Sequence, residues 1–200
     1  EGYTELVKNG AAVLSVFVSD PELLKDVDPD KIQRDTITKS NTFKEYKDYV
    51  MNGSSNWCVV SVPSIPWAKS VYKDEKDSEA VSKLWDSIFE INRINTADPI
   101  QAWKDHFEKL EKFKIYLNEK QFAKLYYKGE NTDLTVDLPK NHIWQGGCEH
   151  TTKGLVFAAN IPTEEVFCMP YKYGVNGVLS STMPLEYNGN IIDNFKFYFE

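Results

Sequence analysis

One run of this chain sets two carboxylates among apolar residues: Asn160-Ile161-Pro162-Thr163-Glu164-Glu165-Val166-Phe167-Cys168-Met169-Pro170. Pro162 and Pro170 hold their predecessors to extended backbone. In an extended run successive side chains point to opposite faces, so at most one of Glu164 and Glu165 faces a given site. A carboxylate on a stiff apolar strand suits a hard or borderline metal ion, or general acid/base work. Buried carboxylates are rare, and composition alone reads the run as a surface loop with two solvated acids.

The other candidates are sparser. Cys148-Glu149-His150 bring a thiol, a carboxylate and an imidazole together after Gly146-Gly147. Adjacent residues rarely converge on one ion, and no second His or Cys follows at ligand spacing, so a solvated loop is the expectation. His106 flanks a helical apolar stripe and His142 precedes Trp144; both read as packed or hydrogen-bonded residues rather than ligands. Gly146-Gly147 lacks the context of a phosphate-binding loop. Gly129-Glu130 fills a turn before Thr132-Asp133-Leu134. Trp67 is either a wall beside a ligand or an aromatic plug over the core, and the plug is the expectation.

Elements must position these residues. Residues 11–18 form a short apolar run rich in β-branched residues, expected to be a buried strand, and 57–62 form a second. Asp20-Pro21 predicts a helical turn, and Asp28-Pro29 predicts a longer helix to about Val50. Two strands separated by a helix predict a parallel βαβ unit. The loop 63–67 follows the second strand, where open α/β sheets place ligands. Ala80, Val81, Leu84, Trp85, Ile88 and Phe89 recur at helical spacing. Asp98-Pro99 predicts the start of another helix, with Ile100, Trp103, Phe107, Leu110, Phe113 and Leu117 as its stripe; the two helices are expected to pack through their tryptophans. After Lys120 the pattern changes to short strands at 122–127, 132–138, 143–144, 155–158, 177–182 and 191–199. Gly, Asn, Asp and Pro separate them. The expected fold class is mixed α/β: a parallel βαβ-type first half with packed helices over residues 1–120, then a largely antiparallel β region over 121–200.

Composition bounds the function. The chain has 200 residues, 42% of them hydrophobic and 14% aromatic, enough for a sizeable core. The net charge of −7 argues against a general nucleic-acid or anionic-membrane binder. No apolar window is long enough to span a bilayer and no signal peptide opens the chain. Three cysteines, without a Cys-x-x-Cys pair, read as reduced thiols in a cytoplasmic protein.

The run from Asn160 to Pro170 resembles the Pro-Thr-Glu-Glu-Val-Phe-Thr-x-Pro motif of the aminopeptidase T/aminopeptidase S family of metallopeptidases, the thermophilic-type metal-dependent aminopeptidases. Residues 57–63, then Pro66-Trp67-Ala68, Leu84-Trp85, Asp98-Pro99, Ala102-Trp103 and His106 resemble the family in order. So do Leu117-Asn118, Thr132-Asp133-Leu134, Trp144-Gln145-Gly146-Gly147 and Pro184-Leu185. The match runs from about Asp20 to the end. Cys168 stands where the family has Thr.

The resemblance implies a cytoplasmic exopeptidase that removes amino-terminal residues from peptides with two divalent ions, zinc, cobalt or similar, per site. It implies Glu165 as the motif's metal ligand, with Glu164 as the fallback. The remaining ligands of the family come from Gly-Glu, Glu-Asn-Ala-x-x-His and His-x-Asp motifs, and none stands here. The chain opens Glu1-Gly2-Tyr3 and closes on the strand pattern 195–200, and it reads as the amino-terminal part of a longer enzyme. Its expected partners are a peptide substrate and the missing carboxy-terminal portion, with neither nucleic acid nor membrane, in a parent that pairs as a homodimer. No catalytic residue is expected in this part, which should be inactive and hold metal weakly or not at all. Two rivals remain: a non-catalytic α/β interaction or scaffold domain, and a metal-independent acid/base hydrolase using Glu164 or Glu165.

Overall fold

The computed structural model describes residues 2–200; Glu1 lies outside the described residues. Helices and several small sheets make a mixed α/β chain, as the sequence predicts. It divides into two compact units. The first holds Glu1–Trp103, Cys148–Thr163 and Asn188–Asn190; the second holds Lys104–Gly147, Glu164–Tyr187 and Ile191–Glu200.

In the first unit, α1 (Gly2–Lys8) leads into β1 (Val13–Phe17). Helices α2 (Pro29–Thr42) and α3 (Lys44–Met51) then carry the chain over to β2 (Trp57–Ser61), which pairs parallel with β1 from Val13↔Trp57 to Phe17↔Ser61. The βαβ unit is therefore present, with two departures. The helix expected to reach Val50 breaks at Phe43, whose backbone (φ −96°, ψ 10°) closes α2 and opens α3. The first strand, expected to be buried, is exposed: Leu14 is 66% accessible and Val16 and Phe17 about half so. Asp20-Pro21 gives only turns. At Asp28 the signal holds, because its Oδ1 accepts from the Asp30 N–H at 2.9 Å.

The loop expected at 63–67 instead opens α4 (Ile65–Val71). Ser64 caps it, its Oγ accepting from the Trp67 N–H at 3.1 Å. Helix α5 (Asp77–Ile91) packs on α4 through Ala68, Ala80, Leu84 and Ile88, and Trp67, Trp85 and Phe89 cover that core. Trp67 is thus the aromatic plug. The last helix, α6 (Pro99–Lys120), starts where Asp98 Oδ1 accepts from the Gln101 N–H at 2.9 Å. Trp103 Nε1 donates to the Asn92 carbonyl at 2.8 Å, tying the start of α6 to the end of α5. The α6 stripe is less buried than its period suggests: Leu110 is buried, while Ile100 and Phe113 are exposed.

The second unit takes α6 from Lys104 onward and a four-stranded antiparallel sheet. Strands β3 (Lys124–Gly129) and β4 (Thr132–Asp137) form a hairpin around Asn131, whose φ of 55° suits an Asn turn. After the short β5 (Gln145–Gly146), then β6 (Glu149–His150) and β7 (Val156–Phe157), which belong to the first unit, and β8 (Val166–Phe167), strand β9 (Val175–Ser180) adds to β4. Beyond β10 (Leu185–Tyr187) and β11 (Asn190–Ile192), strand β12 (Lys196–Phe199) closes the order β12-β9-β4-β3. The strand expected at 143–144 is displaced to β5. The single strand expected over 191–199 is two pieces. Among the described residues no helix is long and apolar enough to cross a membrane.

Candidate metal centre

The stretch with the two carboxylates is held on both sides. Before it, Asn160 bridges Val59 of β2 in parallel: the Val59 N–H donates to the Ala159 carbonyl (2.9 Å) and the Ile161 N–H to the Val59 carbonyl (3.0 Å). After it, β8 pairs antiparallel with β5, Gly146 opposite Val166. The Ile161–Pro162 peptide bond is cis. The division between the units falls between Thr163 and Glu164.

Gly146 explains how β5 approaches so closely. Its φ is +143°, and a Cβ there would overlap the Glu165 carbonyl oxygen and lie 2.9 Å from Val166 Cα. Only glycine meets both demands. The strand is in turn fixed to α6. Asn118 donates from Nδ2 to the Trp144 carbonyl (3.0 Å) and accepts at Oδ1 from the Trp144 N–H (2.8 Å). Gln121 Nε2 donates to the His142 carbonyl at 2.9 Å.

The carboxylates part company. Glu164 Oε2 lies 3.4 Å from His106 Nε2; the imidazole side chain is 10% accessible and the Glu164 side chain 52%. Glu165 is exposed, and its carboxylate enters no ion pair among the described residues. Alternation in an extended run predicts one carboxylate inside and the other out; both are exposed here. The His106 contact was not foreseen: His106 was expected to be packed or hydrogen-bonded, but its partner lies far along the chain. The legible signal was Ala102-Trp103 with His106, among the residues that carried the resemblance.

The remaining candidates stay apart. Glu149 and His150 are exposed on β6, where neighbouring side chains alternate, and β6 pairs with β7 rather than lying in an open loop. His142 is buried, with Nδ1 2.9 Å from the Pro139 carbonyl, which makes it structural. Glu130 occupies the β3–β4 turn. All three cysteines are free thiols. Cys168 lines a cavity of about 220 Å³ with Trp144, Val166 and Phe167. Burial pushes its thiol pKa up from the ordinary value.

A carboxylate oxygen is a fitting donor for a divalent cation, and Glu165 offers one immediately before β8. No group of three or more His, Cys, Asp or Glu side chains comes within ligand distance of a common point among the described residues. A closed zinc shell takes about four donors.

The chain is 44% identical over 196 residues to aminopeptidase 2 of Geobacillus stearothermophilus, covering 98% of this chain and 48% of that protein. It is 43% identical over 200 residues to aminopeptidase AmpS of Bacillus subtilis and 36% identical to aminopeptidase T of Thermus aquaticus, covering 49% of each. The chain thus spans about half the length of these relatives. Wild-type AmpT from Thermus thermophilus superposes with a TM-score of 0.89 at 34% identity, over 100% of this chain and 49% of that one. The family model of the thermophilic metalloproteases (M29) matches residues 1–200, and the chain belongs to that family.

Proposed function

We propose that this chain is the part of a metal-dependent aminopeptidase that contributes Glu165 to a two-ion centre, in an enzyme that removes amino-terminal residues from peptides. Membership of a metallopeptidase family implies divalent metal, and aminopeptidases are what the relatives are named. The observation that carries the assignment is the separation of the two carboxylates: Glu164 is engaged by a buried imidazole, while Glu165 keeps its oxygens for an ion. Divalent metal, when bound, polarises the scissile carbonyl and lowers the pKa of water. The chain's own residues hold the carboxylate still. The β5–β8 pairing holds Val166, the residue that follows Glu165. The other ligands come from the part of the relatives' length that this chain does not span. By itself the chain therefore hydrolyses no peptide. The reading extends to zinc or cobalt as the ion and to a homodimer. The three free thiols favour a reducing, cytoplasmic setting.

Elemental analysis of the full-length protein after exhaustive dialysis tests this. Wild type and Glu164→Gln should retain divalent metal, and Glu165→Gln should lose it. Unchanged metal in Glu165→Gln sinks the assignment.

A further inference from the structure

Two adjacent carboxylates compete for the same ion unless one is held elsewhere. We propose that His106 is the positioning residue of the Glu164-Glu165 pair. Its Nε2 holds Glu164 Oε2 and leaves the neighbouring Glu165 carboxylate to the metal. The inference rests on the assignment of Glu165 made above.

Three observations carry it. The imidazole is nine-tenths buried while its partner is half accessible, so the fixed member of the pair is the histidine and the member it restrains is the glutamate. An ion pair with an exposed partner contributes little stability, so the contact matters through geometry. Finally, the same helix fixes the other flank of the pair. Asn118, further along α6, holds Trp144 by two hydrogen bonds. Trp144 leads into Gln145 and Gly146, which pair with Phe167 and Val166. Helix α6 thus acts as a ruler with two marks, His106 before Glu165 and Asn118 behind it. A glutamate pinned at one side chain and at its following strand has little freedom to rotate into its neighbour's place. Partners that orient a ligand without touching the ion commonly set affinity by this means.

The test is a double-mutant cycle in the full-length protein, with zinc as the probe and competition against a chromophoric chelator as the readout. Circular dichroism checks folding. His106→Ala and Glu164→Ala should each weaken zinc binding about 10- to 100-fold. The double variant should be no worse than either single one, because both remove one contact. Glu164→Gln should stay close to wild type, since an amide oxygen still accepts from Nε2–H. If His106→Ala does not fold, Glu164→Ala on the accessible side removes the same contact and carries the test alone. Wild-type affinity in either folded alanine variant overturns the proposal, and so does a double variant whose losses multiply. Loss of zinc in Glu165→Gln with no loss in His106→Ala overturns the positioning role alone. Retention of zinc in Glu165→Gln overturns the assignment beneath it and the positioning role with it.

Discussion

Gly146 contributes no functional group, yet the backbone of Glu165 depends on it. Its +143° φ and the overlap a Cβ would make with the Glu165 carbonyl both oppose any side chain. Gly146→Ala should cost more than about 1 kcal/mol of stability, read by denaturant melts. Because the strain falls on the motif backbone, metal binding by the full-length protein should drop with it. The thiols make a second prediction at this scale. Burial raises the pKa of Cys58 and Cys168 above the ordinary thiol value of 9.0. In the native fold both should react with iodoacetamide more slowly than after unfolding, as mass spectrometry at pH 8 would show. The sign for stability follows. The folded chain keeps these protons after the unfolded chain has released them, so stability falls as pH rises past the ordinary thiol value. At the residue scale the sequence was legible where chemistry is local. Glu164 and Glu165 were found because they are adjacent and flanked by prolines. Which one meets His106 was not legible, because a contact between residues so far apart is decided by the packing of α6.

Among the elements, the helices were the more readable. Helix α5 covers the whole run from Ala80 to Phe89, since the 3.6-residue spacing of Ala80, Leu84 and Ile88 is a local signal that burial then satisfies. Helix α6 starts where Asp98-Pro99 said it would, because a cap and a proline act within one turn. Asp98→Ala should remove that cap at a cost of roughly 1 kcal/mol, which in a chain of this size lowers the Tm by about 2–4 °C. The strands were less readable. Strands β5 to β8 are two residues each and exist only because distant segments pair, so alternation has no length in which to show. The exposure of β1 was hidden for a different reason. Its composition reports that the residues are apolar, and composition does not report what covers them.

For the whole molecule that exposure has a practical result. Leu14 and Val16, which share one face of β1, are accessible, as are Phe17 and Val18, and exposed apolar surface drives association. The 200-residue chain in isolation should show concentration-dependent light scattering. Leu14→Lys with Val16→Thr should reduce it with little change in Tm, because surface positions contribute little to stability. The division into units has another consequence, at the ribosome. The first unit is interrupted after Trp103 and resumes only at Cys148. Synthesis therefore delivers α6, the β3–β4 hairpin and β5 before the residues that pair with Val59 exist. A nascent chain stopped short of Asn160 has β1 paired with β2 but lacks the bridge from Asn160 to Val59. The segment that completes the first unit also opens the Pro162–Pro170 motif, so the last piece of that unit and the two carboxylates leave the ribosome within the same few seconds of translation.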